Sequence, residues 1–225
     1  MIDVVKNRLR IRFSSPSGEP SEDDRASVGG SVETRNVEFV AYADDCRLFG
    51  HLRLAGDRLT DMLNEYEEYI LVDVLAESLL DGRVIETPEV LVARDDLYAV
   101  EATGPRGNGG RRLRTRQHQI GLRLGPYLAQ GYLHALPGVD PLASVRRRAP
   151  MVPLTHAWIG YASGGTKRLR EATTLVVNRE QTDWIVPASE ESEVEFPDVP
   201  VATEQGPLLK DFTGQLLGEL ALDAR

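Results

Sequence analysis

A mainly β fold is predicted for this 225-residue chain, as two tandem small barrel-like or sandwich-like domains of about five strands each. Three observations carry the expectation. Residues 44–102 are echoed by residues 125–188: Gly50-His51-Leu52-Arg53-Leu54 returns as Gly131-Tyr132-Leu133-His134-Ala135, and Val90-Leu91-Val92-Ala93-Arg94-Asp95 returns as Leu175-Val176-Val177-Asn178-Arg179-Glu180. Apolar runs are short and separated by turn pairs such as Asp44-Asp45, Asp81-Gly82 and Gly164-Gly165, the spacing of a strand-rich domain. Helical periodicity is confined to one short segment in each copy and one near the C-terminus. The offset between copies grows from 81 residues at Gly50 and Gly131 to 86 at Tyr98 and Trp184, and each unit of such a repeat must fold as one piece.

Residues 1–13 contain a strand in which Leu9, Ile11 and Phe13 alternate with Arg8, Arg10 and Arg12, a period of two. Residues 14–31 are Ser, Gly, Pro and acid with little to bury, so they read as a disordered linker. The first β-domain spans residues 32–103. In it Val37 to Ala43 and Cys46 to Leu54 form a hairpin, Asp57 caps a short helix with Leu59, Met62 and Leu63 inward, and strands follow at Tyr69 to Ala76, Ile85, Val90 to Ala93 and Leu97 to Val100. Residues 104–118 are a Gly- and Arg-rich connector. Residues 119–188 repeat the order, with Pro141 to Val145 at the helix position. Residues 189–225 form an acidic tail in which Leu209, Phe212, Leu216 and Leu220 recur at spacings of three and four. That spacing predicts an amphipathic helix whose apolar stripe docks on the body or on another molecule.

Charge is distributed in blocks. Residues 32–103 carry a net −11, residues 104–186 a net +9 and residues 187–225 a net −7, within a total of −9. Such alternation speaks to interaction surfaces rather than to fold. Three basic clusters account for the positive block: Arg111, Arg112, Arg114 and Arg116; Arg146, Arg147 and Arg148; Lys167, Arg168 and Arg170. Guanidinium forks suit carboxylate or phosphate, so the partner is an acidic protein or the chain's own acidic segments, with nucleic acid as a lesser alternative. Tyr132, Trp158 and Trp184 match apolar strand positions and read as core rather than as stacking platforms.

Catalytic signatures are weak. Ser144, His156 and Asp140 could be assembled into a relay on paper, but no Gly-x-Ser-x-Gly elbow accompanies them. His51, His118, His134 and His156 have no zinc spacing with one another or with Cys46. No cofactor or metal is expected, and no enzyme activity. Cys46, the single cysteine, reads as a buried inert thiol. The start lacks an apolar signal core and no run is long enough to span a membrane, so a cytoplasmic location is expected.

Gly50-x-Leu52-x-Leu54 followed by Arg58-Leu59-x-Asp61-x-Leu63-Asn64 resembles a bacterial family of uncharacterised small β-rich domains, here in two copies, with Val139 to Val145 standing where the second motif should be. The resemblance implies a small β-rich domain and supplies no catalytic residues. Within the motif, Arg58 and Asp61 are spaced to pair across one helical turn while Leu59 and Leu63 pack inward. The expected function is a non-catalytic interaction or regulatory module, in which the basic half recognises an acidic partner and the acidic tail modulates it. A nucleic-acid binder, or a hydrolase or transferase with its site between the domains, are the alternatives.

Overall fold

A computed structural model describes residues 34–55, 58–103, 114–188 and 201–203. The N-terminal strand in residues 1–13, the linker 14–31, Arg111 and Arg112, and the tail helix of Leu209, Phe212, Leu216 and Leu220 lie outside the described residues.

The first hairpin forms where the apolar runs flank Asp44-Asp45: β1 (Thr34–Ala43) pairs antiparallel with β2 (Cys46–Ala55). A short helix, α1 (Leu59–Glu65), then buries Leu59 and Leu63. Its N-cap is Arg58, which makes no side-chain capping bond, and the predicted cap Asp57 is outside the described residues. β3 (Glu68–Ser78) and β4 (Val84–Ala93) follow, and one 3-10 turn (Arg94–Asp96) leads into β5 (Leu97–Ala102). The second half comprises β6 (Arg116–Leu124), β7 (Tyr127–Ala135), α2 (Pro141–Arg146), β8 (Met151–Ser163), β9 (Thr166–Asn178), a 3-10 turn (Arg179–Gln181) and β10 (Trp184–Pro187). Asp140 caps α2 by accepting the Ala143 N–H at 2.7 Å, and Pro141 occupies the first turn, where its missing N–H costs nothing. A final short strand, β11 (Val201–Thr203), lies in the segment read from sequence only as an acidic tail.

These strands form one open sheet in the order β10-β6-β7-β8-β9-β5-β1-β2-β3-β4, antiparallel throughout, with β11 added parallel to β9. Neither half closes into a barrel, which corrects that form of the expected β-units. The physical reason is the junction: β5 pairs edge to edge with β9, setting Val100 opposite Val176 and Ala99 opposite Val177. That pairing satisfies both strands' backbone groups without either half curling shut.

Both halves run through the same strand order, 5-1-2-3-4 and 10-6-7-8-9. Both carry an irregularity at the same place. The β2–β3 register shifts between Phe49 and His51, across Gly50, and the β7–β8 register shifts between Gln130 and Tyr132, across Gly131. The extra residue of each bulge lies on the facing strand, opposite the glycine, and there stand the only non-glycine residues with positive φ among the described residues, Asp73 (52°) and His156 (47°). A Cβ on Gly131 would lie 2.8 Å from that of Ala157, and one on Gly50 would lie 3.0 Å from the Val72 carbonyl oxygen. Glycine is therefore required by close approach. The registers also move one alignment: Trp184 stands opposite Arg123 as Ala99 stands opposite Tyr42, so Trp184 corresponds to Ala99 rather than to Tyr98.

Burial explains how the halves stack. On β1, Phe39, Ala41 and Ala43 face a cluster with Leu59 and Leu63 of α1, while Val40 and Tyr42 face a second cluster filled by Ile120, Leu122, Leu133, Leu154 and Ile159 of the other half. The first half is thus apolar on both faces, and its second face shares a buried cluster with the second half. Asn64, the last residue of the family-like motif, ties α1 to that half: its amide accepts from Met151 N–H and donates to Met151 O, both at 2.9 Å. Among the described residues, no helix is long and apolar enough to cross a membrane.

Candidate functional site

The sequence concentrates positive charge in the second half, and the fold divides that charge between the seam and the surface. On β9, Arg170 is buried and its Nε donates to Glu101 on β5 at 2.5 Å, where Tyr42 also donates to the same carboxylate oxygen at 2.6 Å. Lys167 is buried and Arg168 half-buried on the same strand. Arg170 is therefore part of the seam, and Lys167 is withdrawn from solvent with it. The β11 backbone runs parallel to β9, pairing Val201, Ala202 and Thr203 with Lys167, Arg168 and Leu169.

A second buried network, which sequence reasoning missed, lies nearby. Arg47 is fully buried, donates to Glu77 at 2.9 Å and to the Tyr161 hydroxyl, and stacks over Phe49 and Tyr161 with 4.6 Å to each ring centroid. Ser163 donates to the other Glu77 oxygen at 2.9 Å. A buried charge needs such pairing to persist. The signal available in sequence was an arginine inside the apolar run Cys46-Arg47-Leu48-Phe49, since a solvent arginine is not expected on a strand buried on both faces. Burial, then Glu101, pushes the Tyr42 hydroxyl well above its usual range.

The described members of the other two clusters remain at least partly accessible. Arg116 begins β6 opposite Ala135 at the end of β7, and Thr115 bonds His134 Nδ1 at 3.2 Å. Arg148 donates to the His134 carbonyl. One member of each cluster, Arg116 and Arg148, therefore reaches the C-terminal end of β7, with Arg114, Arg116, Arg146 and Arg147 exposed and Arg148 half-buried. His134 itself bonds Thr155 Oγ1 at 2.8 Å. Burial, Arg148 and His156, in that order, hold its pKa below the usual value, so at neutral pH the corner's charge comes from arginine.

Next to this corner the outer face of β6, β7 and β8 carries Gln119, Tyr132, His134 and Trp158, all half-buried. The Tyr132 ring meets His156 edge-on at 6.4 Å. Neither Tyr132 nor Trp158 is in a core cluster and Trp184 is 41 % exposed, which corrects the reading of all three as core. The rings that do fill the second half's core are Tyr127 and Tyr161. The β7 alternation held this information: Tyr127, Ala129 and Leu133 are inward, so Tyr132 and His134 fall on the opposite face.

No side-chain hydrogen bond links Asp140, Ser144 and His156 among the described residues; Asp140 is committed to capping α2, and His156 sits in the β8 bulge. No group of three or more His, Cys, Asp or Glu side chains among the described residues could hold a metal ion. Cys46 is buried, and burial together with Asp45 and Asp44 pushes its thiol up to about 12, so the reactive thiolate is scarce at neutral pH. Compared with family models, curated proteins and solved structures, the chain matches none.

Proposed function

We propose that the chain is a duplicated β-unit serving as a non-catalytic interaction module, whose exposed arginine corner in the second half receives an acidic protein partner while the acidic C-terminal segment modulates that surface. The observation that carries the reading is the approach of Arg116 and Arg148 to the end of β7, each followed or preceded in the chain by exposed arginines, Arg114, Arg146 and Arg147. Planar guanidinium groups bond carboxylates in pairs. Each exposed contact contributes little and is screened by salt, so recognition needs several carboxylates at once. The return of β11 onto β9 supports a role for the tail, because it brings the C-terminal segment back to the basic half in cis.

The test is titration of a labelled polyglutamate with the full chain at low and physiological salt. Binding is expected at low salt, is expected to be lost when Arg114, Arg116 and Arg147 are replaced by Glu, and to tighten when Glu190, Glu191, Glu193 and Glu195 are replaced by Gln. No binding, or binding indifferent to the arginine replacements, overturns the reading. The outward Tyr132 and Trp158 favour a single-stranded nucleic acid as the rival, since open rings stack on bases. A labelled oligonucleotide that binds where polyglutamate does not would replace the acidic protein with that partner.

A further inference from the structure

Both free edges of the sheet are strands whose counterparts already pair with each other inside the chain. At the seam β5 pairs with β9, Ala99 opposite Val177, Val100 opposite Val176 and Glu101 opposite Leu175. The counterpart of β5 is β10, since both lie beside the first strand of their half and Trp184 takes the place of Ala99. The counterpart of β9 is β4: Val92 stands opposite Tyr69 on β3 as Val177 stands opposite Val152 on β8. Among the described residues nothing pairs with the outer edge of β4 or β10, and these strands end the sheet on opposite sides.

We propose that β10 of one molecule pairs antiparallel with β4 of a second copy, setting Trp184 opposite Val92, Ile185 opposite Leu91 and Val186 opposite Val90, and so repeats between chains the junction that joins the halves. The inference rests on the duplication in the preceding reading and names a second copy as the acidic partner.

Side-chain chemistry fits this occupant. Every position in the three-residue register is apolar. The large apolar side chains left exposed include Ile70 and Ile85 on β3 and β4 and Trp184 and Val186 on β10, with Ile85 64 % exposed. An unpaired apolar edge is a liability that proteins ordinarily cover or charge. Electrostatics select a second copy over an unrelated strand. At the internal seam Asn64, which follows buried Leu63, clasps the backbone of Met151. In the second half Arg146 follows buried Val145 on α2, and α2 rests on β10. The counterpart of Met151 is Glu68, as the register shows: Glu68 is opposite Ala93 where Met151 is opposite Asn178. Repeating the junction therefore sets Arg146, with Arg147 beside it, against Glu68 and Glu67 of the neighbour. All four are exposed in the single chain. Because the two surfaces differ, the contact is head to tail, and a series of copies closes into a ring or continues as a filament.

Sedimentation of the full chain over a range of concentrations provides the test. Oligomers are expected in the wild type. Blocking one edge with Trp184→Lys and Val186→Lys, or the other with Ile70→Lys and Leu91→Lys, should leave each protein monomeric. Mixing the two blocked proteins should then give a 1:1 pair, because each retains the edge the other needs. Monomeric wild type at all concentrations, unchanged assembly in either blocked protein, or no pair on mixing overturns the proposal. Should a blocked protein fail to fold, as judged by thermal melting, Ile185→Cys and Leu91→Cys molecules are mixed and oxidised. A disulfide between the two proteins is expected, absent when either is oxidised alone, and its absence overturns the proposal; Cys46 is buried and does not compete. Polyglutamate binding by monomeric wild type would defeat this inference while leaving the acidic-partner reading intact.

Discussion

The two halves share strand order and bulge position, yet the outer faces of their sheets meet different fates. In the first half the outward positions are Val40, Tyr42, Phe49, Leu75 and Ala99, and all are buried against the second half. In the second half Gln119, Tyr132, His134 and Trp158 occupy the outer face of β6, β7 and β8 and stay partly open. One topology therefore yields a middle layer and an outer layer, and the difference is written in alternation. The first half's Phe39-Val40-Ala41-Tyr42-Ala43 is apolar at every step, as a strand buried on both faces must be. The second half's Gln117-His118-Gln119-Ile120-Gly121-Leu122-Arg123-Leu124 alternates through its later part.

The sharpest way to break this comparison is at the seam. Replacing Arg170 by Ala leaves the buried Glu101 carboxylate without its cation and is expected to cost about 3–5 kcal/mol, read as a loss of stability in urea unfolding. The exposed pair Arg123–Asp183, 3.7 Å apart with both side chains more than half exposed, should cost under about 1 kcal/mol when cut. Equal losses at the two places would mean that the first half's outer face is not covered.

The bulges offer the next test. Gly131→Ala pushes a methyl to 2.8 Å from Ala157 Cβ, whereas Gly50→Ala meets its nearest atom at 3.0 Å. Overpacking of this kind costs about 1–3 kcal/mol, and Gly131 is expected to be the more sensitive. The reverse order, measured by thermal or urea unfolding, would mean that the second half yields more easily than its packing indicates.

The smallest expected effect is the response to pH, which divides unevenly between the halves. Tyr42 is raised well above its ordinary value and Tyr69 is pushed up to about 12, each chiefly by burial. Tyr127 in the second half is raised for the same reason. A raised tyrosine stabilises the fold fully below the unfolded value of 10.0, and that stability is lost as pH climbs past it, because the unfolded chain gives up protons that the fold retains. At the acid end the lowered His134 works the other way. Below its ordinary 6.5 the unfolded chain takes up a proton that the fold resists, so stability falls there. Tyr42→Phe should flatten the alkaline loss and His134→Gln the acid one, as followed by melting temperature against pH.

Much of this architecture was legible before any coordinates. The hairpin about Asp44-Asp45, the turn at Gly164-Gly165, the inward Leu59 and Leu63 and the helix at Pro141 all stand as read. Local chemistry decides such features: turn residues adopt the required dihedrals, and apolar spacing chooses a face. The candidate site was legible as clusters but not as a surface. Nothing in Arg111 to Arg116, Arg146 to Arg148 and Lys167 to Arg170 tells which set faces water, because that depends on strands distant in sequence. The edge pairing of β5 with β9 drew Arg170 onto Glu101, 69 residues away, the β6–β7 ladder set Arg116 opposite Ala135, and Arg148 reached the neighbouring His134 carbonyl.

By itself the sequence determined which segments become strands, where they turn and which of their faces is apolar, since these follow from each residue's own backbone and side-chain preferences. Only the tertiary structure decided that the halves join as one open sheet, that Arg47 lies in the interior and that Arg114, Arg116, Arg146 and Arg147 stay at the surface. Those outcomes turn on which strand edges find each other, and backbone hydrogen bonds at an edge are the same for every residue except proline. The order of strands was therefore set by how the apolar faces stack, a property of the whole chain.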